Sequence, residues 1–247
     1  MTPSGIDESQ RKAARVAGSA CLISFATVVG VNFGIFGRLI VGGNPAETSR
    51  NILAHETLFR IGIAGDVIYC VGVVVLLTAL YVILKPVSQN LALLAAFGRL
   101  VHGFTWLLAT LNLFTALRLL SDADYTRAFG PDQLPAMARL YLSGSDAYYV
   151  GLLFWALAAT VGSYLWFKSN YIPRALAASG VLSSAWCVIC TLVFYIFPGF
   201  TKVVNLWWFD SPMALFEIAL SLWLMFKGLR PAGTPKPDRA QPALREE

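Results

Sequence analysis

The feature that most constrains the fold of this chain is a long apolar stretch, residues 90–120, with an arginine and a histidine near its middle. A helix that crosses a bilayer needs about 20 predominantly apolar residues, so this stretch is long enough to do so. An ionised arginine at the bilayer centre costs about 2.5–3.5 kcal/mol, and such a residue faces protein or water. We therefore expect Arg99 to have a partner on another helix.

The composition excludes a water-soluble protein. Of the 247 residues, 57% are hydrophobic and only 13% are charged, whereas soluble domains carry about 25% charged residues. The apolar segments predict an all-α, polytopic membrane protein with a single bundle of six transmembrane helices, at residues 13–37, 57–84, 90–120, 144–167, 174–197 and 212–229. The predicted division of the chain is a disordered N-terminus, a six-helix transmembrane domain and a disordered cytoplasmic tail, at residues 1–12, 13–229 and 230–247.

The connections between these helices alternate in length. The turns on one side are short, while the loops on the other side are longer, at residues 38–56, 121–143 and 198–211. Asn44 and Pro45 predict the start of a short interfacial helix, because asparagine caps helix N-termini and proline favours the first helical position. Apolar residues recur at helical spacing from Leu134 to Tyr141, which predicts an amphipathic helix on the membrane surface.

The distribution of basic residues predicts the orientation. The side with the short turns and both termini carries the larger number of Lys and Arg residues, and cytoplasmic loops have this excess. We therefore expect both termini in the cytoplasm and a multi-pass protein of the cell inner membrane. Because most of the net charge of +5 lies beside membrane segments, it does not indicate nucleic-acid binding, and membrane lipids are the expected partners.

The helical rise of about 1.5 Å per residue places the polar residues in two layers. Arg99, His102 and Glu217 fall at one level, about 14–18 Å from the cytoplasmic side, so Glu217 is the first candidate partner for Arg99. A second layer lies nearer the outer face and contains Asn32, Asp66, Asn112 and Asp146, with Tyr148 and Tyr149 nearby.

These layers predict a polar cavity that opens to the outer face and has a charged floor. Its ligand would be a lipid, an isoprenoid or another small amphiphile, because aromatic residues surround the outer rim. The predicted ligand-binding residues are Arg99, His102, Glu217, Asp66, Asn112, Asp146 and Tyr149. The alternative interpretation is structural, because buried ion pairs can also serve to specify how helices pack.

Two other functions stay open at this point. In an integral-membrane enzyme, Arg99 would bind an anionic group, and His102 or Asp66 would act as general acid or base. In a small-solute or proton-coupled transporter, Asp66, His102 and Glu217 would form a relay. The sequence determines neither the catalytic activity nor the oligomeric state.

No metal or cofactor is expected. The chain has two histidines and contains no H-E-x-x-H, Walker or dinucleotide-binding motif. Cys187 and Cys190 have the spacing of a redox motif but lie in an apolar segment without a basic neighbour to activate a thiol. Gly30 and Gly34 form a small-xxx-small pair, for which we expect packing against another helix of the same chain rather than a dimer contact.

Several local runs resemble a known family. They include NILAHETLFR at residues 51–60, which is followed by Asp66, and the Leu84–Lys85–Pro86 turn, which is followed by NLALLAAF at residues 90–97. Together with the Ile172–Pro173–Arg174 turn, these runs are similar to the family called domain of unknown function 4386, DUF4386. The resemblance extends over residues 12–229 and implies a six-helix bacterial inner-membrane protein, without an activity.

Overall fold

The computed structural model describes residues 6–121, 133–142 and 145–231, except for seven side chains, those of Pro135, Ser145, Asp146, Pro198, Thr201, Leu206 and Trp207. Within these ranges the chain forms helices and turns, and no strand. The helices are α1 (Glu8–Leu39), α2 (Pro45–Ala54), α3 (Glu56–Leu84), α4 (Gln89–Ser121), α5 (Gln133–Leu142), α6 (Ser145–Ser169), α7 (Arg174–Ile196), α8 (Leu206–Phe209) and α9 (Ser211–Phe226).

Of the helices in the described ranges, five are long and apolar enough to cross a membrane, namely α1, α3, α4, α6 and α7. The sixth predicted span, α9, is also apolar but has only 16 residues, because it ends at Phe226 rather than at residue 229. The helical, membrane-protein character of the prediction is therefore confirmed.

The long helices form a closed ring with α9. Each helix packs on the next in the order α1, α3, α4, α6, α7 and α9, and α9 packs back on α1. As a result, α4 and α9 lie opposite each other across the centre of the ring. We call the side with Lys85–Ser88 and Asn170–Pro173 the short-turn side, and the side with α2, α5 and α8 the long-loop side.

The N-terminal boundary of the first helix differs from the prediction. The helix begins at Glu8 rather than at residue 13, because the Asp7 side chain accepts a hydrogen bond from the Gln10 backbone N–H and caps the N-terminus. The Gln10 side chain is buried and donates to the carbonyl oxygen of Ile83 at 3.1 Å. Residues 7–12 are therefore part of the folded bundle and not a disordered segment.

The small-residue contacts also differ from the prediction. A Cβ atom added at Gly30 or Gly34 would meet nothing within 4 Å, so these glycines do not mediate helix packing among the described residues. The reason is a π-helical segment, Gly30–Phe36, which turns Val31 and Phe36 toward the interior instead. Helix α1 lies close to α9 at Gly18, where a Cβ would lie 2.6 Å from the carbonyl oxygen of Ser221.

Helix α5 packs on the bundle at the long-loop side. Leu134 and Ala138 are buried, and Ala138 belongs to an apolar cluster with Leu117 of α4 and Ile52 of α2. Leu140 has 72% of its surface exposed. The predicted amphipathic helix is thus present, with its most buried positions against protein.

Candidate functional site

The centre of the ring is crossed by the predicted ion pair. The Arg99 guanidinium on α4 donates to the Glu217 carboxylate on α9, and each side chain is only 11% exposed. Glu217 also accepts a hydrogen bond of 2.9 Å from the Trp155 indole N–H on α6. Because α4 and α9 face each other across the ring, these contacts connect opposite walls of the bundle. The prediction that Glu217 is the partner of Arg99 is confirmed.

His102 lies close to this pair but makes its own contacts. Its Nδ1 is 3.2 Å from the carbonyl oxygen of Gly151, and its Nε2 is 2.9 Å from the hydroxyl oxygen of Tyr69. A carbonyl oxygen only accepts hydrogen bonds, so Nδ1 carries the proton. The neutral tautomer then accepts the Tyr69 O–H at Nε2. Both ring nitrogens are therefore engaged, and α3, α4 and α6 are connected through one imidazole.

Aromatic rings surround His102 and fill the interior toward the long-loop side. The His102 ring stacks on Trp155 with a centroid distance of 5.5 Å, and Trp106 lies 6.0 Å from His102 and 4.8 Å from Tyr69. Tyr148 continues this group with a centroid distance of 6.0 Å to Trp106. Tyr69, Trp106 and Trp155 are not among the site residues predicted from the sequence. Tyr69 lies three residues after Asp66, and Trp106 lies four residues after His102. Residues at this spacing are neighbours on a helix surface, so the sequence contains a signal for these two.

The side chains of the outer polar layer that the structure describes have different surroundings. Asp66 is buried, its Oδ1 has no hydrogen-bond partner among the described residues, and the Trp106 indole lies beside its carboxyl group. Asn32 is exposed and bonds only to its own helix, through the carbonyl oxygen of Val28 at 2.9 Å. Asn112 is half-buried, and its side chain makes no hydrogen bond to a described residue. The Asp146 side chain lies outside the described part of the chain.

The two tyrosines of the outer layer have separate surroundings. The Tyr149 ring packs on Phe194 of α7 with a centroid distance of 4.1 Å, and Tyr148 donates a hydrogen bond to the Asp210 carboxylate at the start of α9. Burial raises the pKa of the Asp210 carboxyl group, while hydrogen bonds from Tyr148 and Ser211 act in the opposite direction. This contact joins α6 to the loop before α9 at the long-loop side.

The cavity beside Arg99 lies on the opposite side from the prediction. It has a volume of about 30 Å³ and extends from Arg99 toward the short-turn side, between α3, α4, α6 and α9. The prediction places the cavity on the long-loop side of Arg99, where the aromatic rings around His102 lie instead. On the short-turn side the wall contains small residues, Ala92, Ala95, Ala96, Ala158, Ala159 and Gly162, which leave space.

The polar groups that face this cavity are few. Arg99 closes one end, and Ser163 lines the wall with a buried hydroxyl group that has no hydrogen-bond partner among the described residues. Within the same described ranges, no three His, Cys, Asp or Glu side chains are close enough together to hold a metal ion. The four cysteines are buried and free. The arrangement can therefore bind water or an anionic group through Arg99 and Ser163.

A ring of apolar helices with a charged pair across its centre defines a polytopic membrane protein. The chain belongs to the family described as domain of unknown function (DUF4386), whose model matches residues 16–228. A relative from Archaeoglobus fulgidus, named "Uncharacterized protein", is 27% identical over 152 residues, which is 61% of this chain and 73% of that protein. No solved structure matches the chain at a significant level.

Proposed function

We propose that this protein binds a small amphiphile inside the membrane, with the anionic head group at Arg99 and the apolar part in the central cavity. The observation that carries the proposal is the chemistry of the cavity wall. One end carries a guanidinium group, whereas most of the remaining wall is aliphatic or aromatic. Such a site matches a molecule that has one charged end and an apolar body.

The Arg99 side chain retains binding capacity after it pairs with Glu217. A guanidinium has five N–H donors in a fixed plane, and one hydrogen bond to Glu217 is present. The buried Ser163 hydroxyl adds a second group without a described partner to the same cavity. Buried polar groups are normally satisfied by protein or by bound molecules. These two residues therefore favour an occupant with hydrogen-bond acceptors.

The cavity is small, so the binding of an amphiphile requires the helices to separate. A space of about 30 Å³ holds roughly two water molecules, so an amphiphile would displace them and separate the helices further. The small residues of α4 and α6 in the wall lose little contact area when the helices move apart. The proposal therefore includes a closed state, described above, and a more open ligand-bound state.

The two alternative functions have weaker support. In an enzyme, His102 would need a ring nitrogen available to the substrate, but Tyr69 and Gly151 engage both. In a proton relay, Asp66 and Glu217 would need a connected chain of hydrogen bonds. Indole groups lie beside both carboxyl groups, and an indole N–H is a donor only.

We further propose that α9 is a sixth span and that both termini are cytoplasmic in the inner membrane. Helix α9 is about 24 Å long, which is shorter than the hydrocarbon core of about 30 Å, but it packs between α1 and α7 along the ring. The short-turn side carries the larger set of basic residues, Arg11, Lys12, Arg15, Lys85, Lys168, Arg174, Lys227 and Arg230. This bias favours that side as cytoplasmic. Reporter fusions to the C-terminus, active only in the cytoplasm or only outside it, test the orientation.

The binding proposal is tested by native mass spectrometry of the protein extracted in mild detergent, with two matched glycine variants. Gly162 lines the cavity and Gly30 does not, and a Cβ atom meets nothing within 4 Å at either position. We expect the wild type and Gly30→Leu to retain a small mass that Gly162→Leu loses, at similar thermal stability. If all three proteins release the same masses, or none, the cavity is not a binding site and the ion pair is structural.

A further inference from the structure

A second cavity lies at the long-loop side, far from Arg99 along the helix axes. Its volume is about 190 Å³, and its lining residues come from the segment that joins α1 to α2, from α2 and from α5. The polar lining consists of Arg139, Thr48, Ser49 and the backbone of Gly42 and Gly43. The cavity described above, beside Arg99, shares none of these residues.

The shape of this cavity is maintained by hydrogen bonds within the loop. The Thr48 hydroxyl accepts from the Val41 N–H at 2.9 Å and lies 3.0 Å from the carbonyl oxygen of Asn44. The Asn44 side chain accepts from the Glu47 N–H at 3.1 Å and thereby caps α2. Gly43 has φ of +79°, a conformation that favours glycine. The turn is therefore built to a defined geometry before any ligand binds.

Three donor groups at this cavity have no partner among the described residues. The Arg139 guanidinium forms no ion pair or hydrogen bond there, and the N–H groups of Gly42 and Gly43 take part in none. Successive backbone N–H groups in a tight turn that includes a left-handed residue form a concave site for anions. An arginine beside such a turn adds a planar, permanently charged donor that matches phosphate oxygens.

We infer that the cavity between the Gly42–Gly43 turn and Arg139 is a binding site for a phosphate group. The volume admits a group of that size, and the donors come from two elements that the fold places face to face. The surroundings favour the head group of a phospholipid as its source. Leu140 follows the lining residue Arg139 in the chain, Leu53 comes four residues after the lining residue Ser49, and their side chains are 72% and 46% exposed. Such exposed leucines fit a position at the boundary of the hydrocarbon region.

The site is tested with delipidated wild-type protein in detergent, titrated separately with a short-chain phosphatidylglycerol and with inorganic phosphate. Binding is followed by native mass spectrometry for the lipid and by isothermal titration calorimetry for phosphate. The test variant is Arg139→Gln, and the matched control is Arg118→Gln, because Arg118 is an exposed arginine on the same side that does not line the cavity. A second test variant, Gly42→Leu, fills the cavity, and its Cβ atom meets nothing within 4 Å.

We expect Arg139→Gln to weaken lipid binding about tenfold, as the loss of one charged hydrogen-bonding contact predicts, and Gly42→Leu to do the same. Arg118→Gln should bind as the wild type does. Lipid binding without phosphate binding identifies a head group as the ligand, whereas phosphate binding with the same dependence on Arg139 identifies free phosphate. Equal binding by Arg139→Gln and Arg118→Gln with both probes would overturn the inference.

Discussion

The Arg99–Glu217 pair permits a quantitative prediction about stability. In Glu217→Gln, the amide oxygen can still accept hydrogen bonds from Arg99 and Trp155, so the variant removes the charge while preserving shape. The Arg99 side chain, which is 11% exposed, is then buried without a counter-charge. Removal of one member of a buried ion pair lowers the free energy of unfolding by about 3–5 kcal/mol. The placement of an uncompensated arginine at the centre of a membrane helix costs about 2.5–3.5 kcal/mol.

We therefore expect Glu217→Gln to lower the free energy of unfolding by about 3 kcal/mol. For a chain of this size, this corresponds to a decrease in Tm of roughly 6–12 °C. The assay is thermal unfolding of the purified protein in one detergent, followed by the fluorescence of its tryptophans. The control is Glu56→Gln, which breaks a more exposed pair with Arg60 on the surface of α3 and should cost less than about 1 kcal/mol.

A double variant, Arg99→Gln with Glu217→Gln, separates the pair interaction from the loss of packing. Because the uncompensated charge disappears, the double variant should be more stable than the sum of the two single changes predicts, by roughly 0.5–3 kcal/mol. Additive single changes, or a Glu217→Gln variant as stable as Glu56→Gln, would refute the conclusion that this pair stabilises the centre of the ring.

Two further predictions concern other positions. A hydrophobic carbodiimide reacts with protonated carboxyl groups. It should label Asp66 and not Glu217, because of these two only Glu217 has a cationic partner. Peptide mass spectrometry measures the labelling, and equal labelling of both residues would contradict the environments described for them. Gly18→Leu should lower the Tm, because its Cβ would lie 2.6 Å from a backbone oxygen of α9, while Gly30→Leu should not, because its Cβ has open space. Equal Tm values for these two variants in detergent would show that α1 and α9 are not in close contact at Gly18.

The partner of Arg99 could be predicted because the depth of a residue in a membrane bundle depends only on its position along the helix axis. The rise per residue places Arg99 and Glu217 at the same level, and an intramembrane charge needs a partner. The direction of a side chain around its helix axis is a separate variable. Asn32 and Asp66 were assigned similar depths, yet one is exposed on α1 and the other is buried against α4.

The position of the cavity could not be predicted for a related reason. The sequence shows aromatic residues and small residues but not which of them share a level inside the ring. Trp106 and Trp155 come from different helices and fill the centre near His102. Alanines of α4 and α6 meet on the other side of Arg99 and leave the space. Which side is filled depends on the sum of side-chain volumes from four helices.

The sequence by itself determined the membrane character, the helical class, the boundaries of most helices and the level of the buried charges. These properties depend on local composition and on distance along a single helix. Only the tertiary structure decided that α9 closes a ring against α1, that both nitrogens of His102 are engaged, and that the cavity faces the short-turn side. These properties depend on how helices rotate and pack against one another, which is set by contacts between residues far apart in the chain.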